Sequence, residues 1–198
     1  MDNLIKYFKK NKGYARLKDL KKAGIHTRTI AGAIGSDLIA AVKPGFYKLL
    51  NYDWREYNGL VDVCLANPKL VICLISALEF HKLTTQNPSI VYAAIPYKSR
   101  NVKIFYPPVG LSYFSGKTYS TGIISVKVPN GTIKIYDVEK TICDIFRFRN
   151  KLGEDIAVES LKNYIRSGNY NITKLIEYSG ICRIKKAIMP YISALLEQ

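Results

Sequence analysis

The hydrophobic period changes once within the first fifty residues, and that change limits the folds open to this chain. Leu4, Ile5 and Phe8 fall on one helical face, with Lys6, Lys9 and Lys10 largely off it. Asp2 or Asn3 can cap its start, and Gly13 can stop it. In residues 16–24, Leu17, Leu20 and Gly24 share a second helical face, and Gly24 is a natural helix end. After a turn at Ile25 and His26, Thr27 suits the N-cap of a third helix reaching about Gly35. Ile30 and Ile34, four apart, are expected to form its buried seam. The pattern then becomes that of strands. Leu38 to Val42 and Phe46 to Leu50 read as a hairpin around Lys43-Pro44-Gly45. Helix, helix, tight turn, helix, hairpin is the order of a winged helix-turn-helix.

The charge falls in the same place. Thirty Lys and Arg face fifteen Asp and Glu, a formal +15. A field of that sign favours polyanions, meaning nucleic acid or an acidic membrane surface. A lysine-rich protein from an A/T-rich genome would show the same total. The distribution is uneven, however. Residues 1–50 hold eleven basic and three acidic side chains, residues 51–150 twelve and seven, and residues 151–198 seven and five. About half the excess sits in the first quarter, which points to a polyanion-binding module there.

Residues 51–58 read as a connector. Two helices are expected near 56–66 and 71–82, split by Asn67-Pro68. A β-rich middle follows, with candidate strands Ile90–Pro96, Val102–Tyr106, Ile123–Val128 and Thr132–Tyr136. The last two are joined by Pro129-Asn130-Gly131, whose Asn-Gly is a hairpin signal. Asp137 then caps a helix through Arg149, and further helices are expected over 154–166, 171–179 and 182–196. The expected class is α+β. A winged helix-turn-helix over residues 1–50 precedes a mixed α/β domain over 51–198 that ends in a helical bundle.

Several chemistries lack their residues. Cys64, Cys73, Cys143 and Cys182 form no C-x-x-C pair, and His26 and His81 are the two histidines, so neither a metal site nor a cofactor is expected. The cysteines lie in apolar stretches, as buried free thiols of a reducing compartment do. The start lacks the apolar core of a signal peptide, and the run Leu70–Leu78 is too short to span a bilayer. A cytoplasmic protein with no membrane partner is expected. Asp137-Val138-Glu139-Lys140 resembles a nuclease motif but lacks its spacing, and an N-cap with a first-turn acid is the simpler account. Gly35-Ser36-Asp37 resembles the opening of a nucleotidyltransferase site, with no D-x-D pair to follow. His81 reads as a hydrogen-bonded structural residue. No G-x-S-x-G, P-loop or G-x-G-x-x-G occurs. No catalytic residue is expected.

On the third helix the face opposite Ile30 and Ile34 presents Arg28, Gly32 and Gly35. Arg28 can pair bidentately with guanine, and Thr27 and Thr29 can reach phosphates or bases near the helix start. Two glycines cost a short helix about 1 kcal/mol each relative to alanine. Either the backbone approaches a duplex closely there, or the helix ends raggedly at Gly32. Arg16, Lys18, Lys21 and Lys22 on the preceding helix, with Lys43 and Lys48 flanking the hairpin turn, are expected to touch phosphates. So few base-reading side chains imply that DNA shape and a paired binding site supply the remaining specificity.

The chain also resembles the AbiEi family of antitoxins, from type IV toxin–antitoxin systems of bacterial abortive infection. The resemblance rests on Gly24-Ile25 and Pro44-Gly45-Phe46-Tyr47 in the first part. It continues through Ile75-Ser76-Ala77-Leu78 with His81 behind, and Val91-Tyr92-Ala93-Ala94-Ile95-Pro96. It is strongest over Asp137-Val138-Glu139-Lys140-Thr141-Ile142-Cys143-Asp144, followed by Arg147 and Gly153. It implies a repressor that binds inverted repeats of double-stranded DNA in its own promoter. It also implies that the second domain counters a cognate nucleotidyltransferase-like toxin without a stable complex. Glu79-Phe80-His81-Lys82 departs from the His-Gly pair usual after the serine-alanine-leucine helix. The residues leave two other readings open: a regulator whose second domain senses a ligand or partner, and a DNA-modifying enzyme with a targeting domain.

Overall fold

A computed structural model describes residues 1–100 and 103–197. Over these residues the chain is mixed α+β, with ten helices and two sheets. The amphipathic opening becomes α1 (Asp2–Lys10), which buries Leu4 and Phe8. A short strand β1 (Tyr14–Arg16) precedes α2 (Leu17–Lys22) and α3 (Thr27–Gly35). The expected hairpin forms as β2 (Ile39–Lys43) and β3 (Phe46–Leu49). The antiparallel sheet runs β1-β3-β2, with Tyr14 opposite Lys48 and Ile39 opposite Leu49. Leu4, Phe8, Leu20, Ile25, Ile30, Ala33, Ile39 and Leu49 close one core between helices and sheet.

Two details of α3 differ from expectation. His26, not Thr27, occupies the N-cap, and no side chain accepts from the first-turn N–H groups. The buried seam is Ile30 with Ala33, while Ile34 is exposed. Positions three and four apart are both neighbours on a helix. Here Ala33 takes the inward place beside Ile30, and Ile34 lies at the rim.

The connector leads to α4 (Asn58–Ala66) and then to a region where the expected second helix divides. Residues 71–82 form β4 (Val71–Ile72) and α5 (Leu74–Phe80), with Leu74 at φ 49 at the junction. An unbroken apolar run has no period to separate a buried strand from a buried helix. Strand β5 (Val91–Pro96) matches expectation, but the next strand does not. Val102 lies outside the described residues, Lys103–Tyr106 are not strand, and β6 is Val109–Phe114. A short helix α6 (Lys117–Ser120) precedes the hairpin β7 (Ile123–Val128) and β8 (Gly131–Tyr136). The five-stranded sheet has the order β6-β5-β4-β8-β7. Pairs β5–β6 and β4–β8 are parallel, and the other two are antiparallel.

Helix α7 (Val138–Leu152) starts where Asp137 accepts from the Lys140 N–H at 3.0 Å, the cap read from the sequence. It is followed by α8 (Glu154–Arg166), α9 (Ile172–Ile181) and α10 (Lys185–Leu196). These helices and α5 bury one sheet face around Val71, Ala94, Phe114, Tyr136, Ile142 and Phe146. On the other face, α4 contributes Leu60, Val61 and Val63 to a core that also takes in Tyr14, Val42 and Phe46 of the first fifty residues. At that junction a Cβ on Gly13, held at φ +82, would lie 2.6 Å from the Trp54 ring, so only glycine fits. No helix among the described residues is long and apolar enough to cross a membrane.

Candidate nucleic-acid interface

Lys18, Lys21 and Lys22 stand three and four residues apart on α2, opposite the buried Leu20, so the helix period sets all three on one exposed face. Arg16 precedes them and is also exposed. The backbone ties this face to the β2–β3 turn, because the Leu17 N–H donates to the Gly45 carbonyl at 2.9 Å. Arg16, Lys18, Lys21 and Gly45 consequently line one open cleft of about 430 Å³. Three cations around a concave surface raise the local positive potential.

Helix α3 presents Arg28, Ala31, Gly32 and Gly35 along one exposed row. Thr27 is exposed and Thr29 half-buried. The N–H groups of the first turn have no side-chain acceptor, which leaves them able to donate to an anion. The helix runs through Gly32 to Gly35 and does not break early. A Cβ at either glycine would meet nothing within 4 Å, and neither needs a left-handed backbone. Nothing among the described residues therefore calls for glycine at these positions.

Lys43 and Lys48 do not belong to this surface, a correction to the expected phosphate set. Lys43 Nζ donates to the Ala66 carbonyl at the end of α4, where a cation meets the negative end of the helix dipole. Burial and the nearby Arg16 charge lower its pKa from the ordinary lysine value. Lys48 pairs with Asp62 at 2.7 Å, and the two side chains are 10% and 0% exposed. The Tyr14 hydroxyl donates to the same carboxylate at 2.7 Å. Burial pushes the Asp62 carboxyl up from its usual range, and the bonds from Lys48 and Tyr14 only partly counter it. The partners of both lysines lie beyond residue 50, so no pattern within the hairpin could reveal them.

Of the residues weighed for catalysis, His81, Asp137 and Glu139 meet at one cleft, and Lys140 is buried away from it. Asp137 caps α7, and Glu139 pairs with Lys174 at 2.9 Å and accepts from Tyr164 at 2.8 Å. Lys140 is fully buried, paired with Asp144 and 4.1 Å from the Tyr136 ring centroid. His81 Nε2 lies 2.7 Å from the Tyr136 carbonyl, which fixes that nitrogen as the protonated one. Burial holds the imidazole below its ordinary pKa. His81, Asp137, Glu139 and Tyr164 line a cleft of about 770 Å³, where the single ammonium of Lys174 bridges both carboxylates at 3.0 and 2.9 Å and offsets one of their two charges. No protein-family model matches this chain, and no curated protein matches it.

Proposed function

We propose that this chain is an antitoxin of the AbiEi kind that represses its own operon. In this reading residues 1–50 form a winged helix-turn-helix, with α3 in the major groove and the β2–β3 turn as the wing. The observation that carries it is the joining of Arg16, Lys18 and Lys21 to the hairpin turn around one cleft, beside a helix whose exposed row is Arg28 and glycines. In such a module the helix before the reading helix crosses the backbone, and cations there supply affinity and register. Gly32 and Gly35 let the α3 backbone approach the base edges, and Arg28 reads guanine. The second domain counters a nucleotidyltransferase-like toxin without a lasting complex, and the protein works in the cytoplasm as a non-enzyme.

Fluorescence anisotropy on the DNA upstream of its own reading frame tests the first half. Full-length protein is expected to bind that duplex more tightly than shuffled DNA. The variant Lys18→Gln/Lys21→Gln/Lys22→Gln is expected to weaken both complexes alike. It should also flatten the slope of log affinity against log salt by about one for each phosphate left without its lysine. A slope unchanged in the triple variant would place the phosphates elsewhere. Co-expression with a neighbouring nucleotidyltransferase-like reading frame tests the second half: rescued growth supports it, and growth arrest as complete as without the protein contradicts it.

A further inference from the structure

Between Glu79 and Asp137 the chain carries seven Lys and Arg side chains and no carboxylate. This stretch builds β5, the crossover 103–108 and β6 at one edge of the large sheet, then α6, and β7 and β8 toward the other edge, with Lys98, Arg100 and Lys103 as the cations between β5 and β6 in the chain. The crossover is pinned in place. The Phe105 N–H donates to the Val42 carbonyl at 2.8 Å, and Ile104 packs into the core under α4. Four rings of a kind that folding ordinarily buries stand out from this region. Tyr97 is 64% exposed, Tyr106 62%, Phe105 49% and Tyr113 48%.

Their order follows from the topology. Tyr106 lies just before the start of β6, Phe105 and Lys103 follow back along the crossover, and Tyr113 and Tyr97 mark the far ends of β6 and β5. Tyr113 shares its sheet face with Leu111, by the alternation of a strand. Leu111, Ile95 and Lys103 line a cleft of about 200 Å³ on that face. Exposed cations accompany two of the rings: Lys98 Nζ is 6.0 Å from the Tyr97 centroid and Lys103 5.5 Å from Phe105, while Lys48, 5.3 Å from Tyr106, is buried and already paired with Asp62.

From this strip of exposed rings and cations we infer a second nucleic-acid site, one that takes an unpaired strand. Phosphates alone would call for cations without rings. A duplex hides the faces of its bases inside the stack, so an exposed ring gains little from it. An unpaired strand offers base faces and phosphates in alternation, the chemistry that aromatic platforms with flanking cations bind. Strand β6, at six residues, spans about 20 Å, room for a few nucleotides. The acid-free composition removes the like-charge repulsion that a mixed surface would present to the backbone. This site is separate from the α2–α3 face and does not depend on the duplex reading.

The test titrates full-length protein into short labelled oligouridylate and oligothymidylate at low salt, with a duplex of shuffled sequence in parallel. Both single strands are expected to bind, and the tighter one identifies the strand as RNA or DNA. Phe105→Ser/Tyr106→Ser should lose about tenfold or more of that affinity. The pair Phe105→Tyr/Tyr106→Phe should keep it, since either ring stacks. Arg28→Ala should leave it unchanged, and a urea midpoint of the serine variant close to that of wild type should show that it folds. Failure to bind either single strand would overturn the site. So would single-strand affinity that the serine variant keeps, or a dimer of the chain that the serine variant splits.

Discussion

Asp62 has no exposed surface, and two side chains from the first fifty residues reach it across the junction. A buried pair broken on one side leaves an uncompensated charge, which costs about 3–5 kcal/mol, whereas replacing both partners with apolar groups is often near neutral. Lys48→Met is therefore expected to lower stability in urea by about 3 kcal/mol, the lower bound because the raised Asp62 can take up a proton. Lys48→Met/Asp62→Leu should recover most of it. A double variant as unstable as the single one would deny the pair its role. Asp144 makes a second case, since complete burial pushes its carboxyl up to about 6 against the pull of Lys140. A raised acid binds its proton more tightly in the folded chain. Stability from this group is then fullest below pH ~4, falls as the pH rises, and levels off above ~6, a change of about 3 kcal/mol. Urea midpoints at acid and neutral pH should show wild type losing ground to Lys140→Met/Asp144→Leu as the pH rises. A difference between them that does not move with pH would contradict it.

At the scale of elements, α3 offers the sharpest trial. Gly32 has open space around its missing Cβ and an ordinary helical backbone, so Gly32→Ala should stabilise the protein by about 1 kcal/mol. On the proposed reading the same methyl meets the duplex, and DNA affinity should fall as the side chain grows from Ala to Leu. A Gly32→Leu protein that binds DNA as wild type does would free the glycine from that role. Elements with a clear period were legible in the sequence: α1, the β2–β3 hairpin, the β7–β8 hairpin around Asn130-Gly131, and α7 behind its Asp137 cap. Those it concealed have physical reasons. Strand β1 is three residues long and exists through its pairing with β3. Strand β4 is two residues within an apolar run. Strand β6 is broken in pattern by Gly110 and Ser112, and its partner β5 is supplied by a parallel crossover.

Across the whole molecule, the first fifty residues and the second unit share a core through Tyr14, Val42, Phe46, Leu60 and Val61. A cut at residue 50 would bare this surface, so binding is better tested on the full chain with surface substitutions. The same junction explains which site residues were legible. Lys18, Lys21, Lys22 and Arg28 follow from helix period alone, because a polar position opposite a buried one faces outward, whereas Arg16 ends β1 and stands at the N-cap of α2, not on the helix as expected. Lys43 and Lys48 are decided by Ala66 and Asp62, which only the assembled fold brings near. The aromatic strip carried a signal in the acid-free stretch before Asp137, but its exposure depends on where the crossover lies. Central to the proposed function is Arg28 reading DNA from α3. Its most direct test compares full-length wild type and Arg28→Ala on the chain's own upstream duplex and on shuffled DNA, at one fixed salt. Without the bidentate pair to guanine, the preference for upstream DNA should drop by about tenfold or more, with shuffled binding nearly unchanged. A preference that survives Arg28→Ala intact would contradict it.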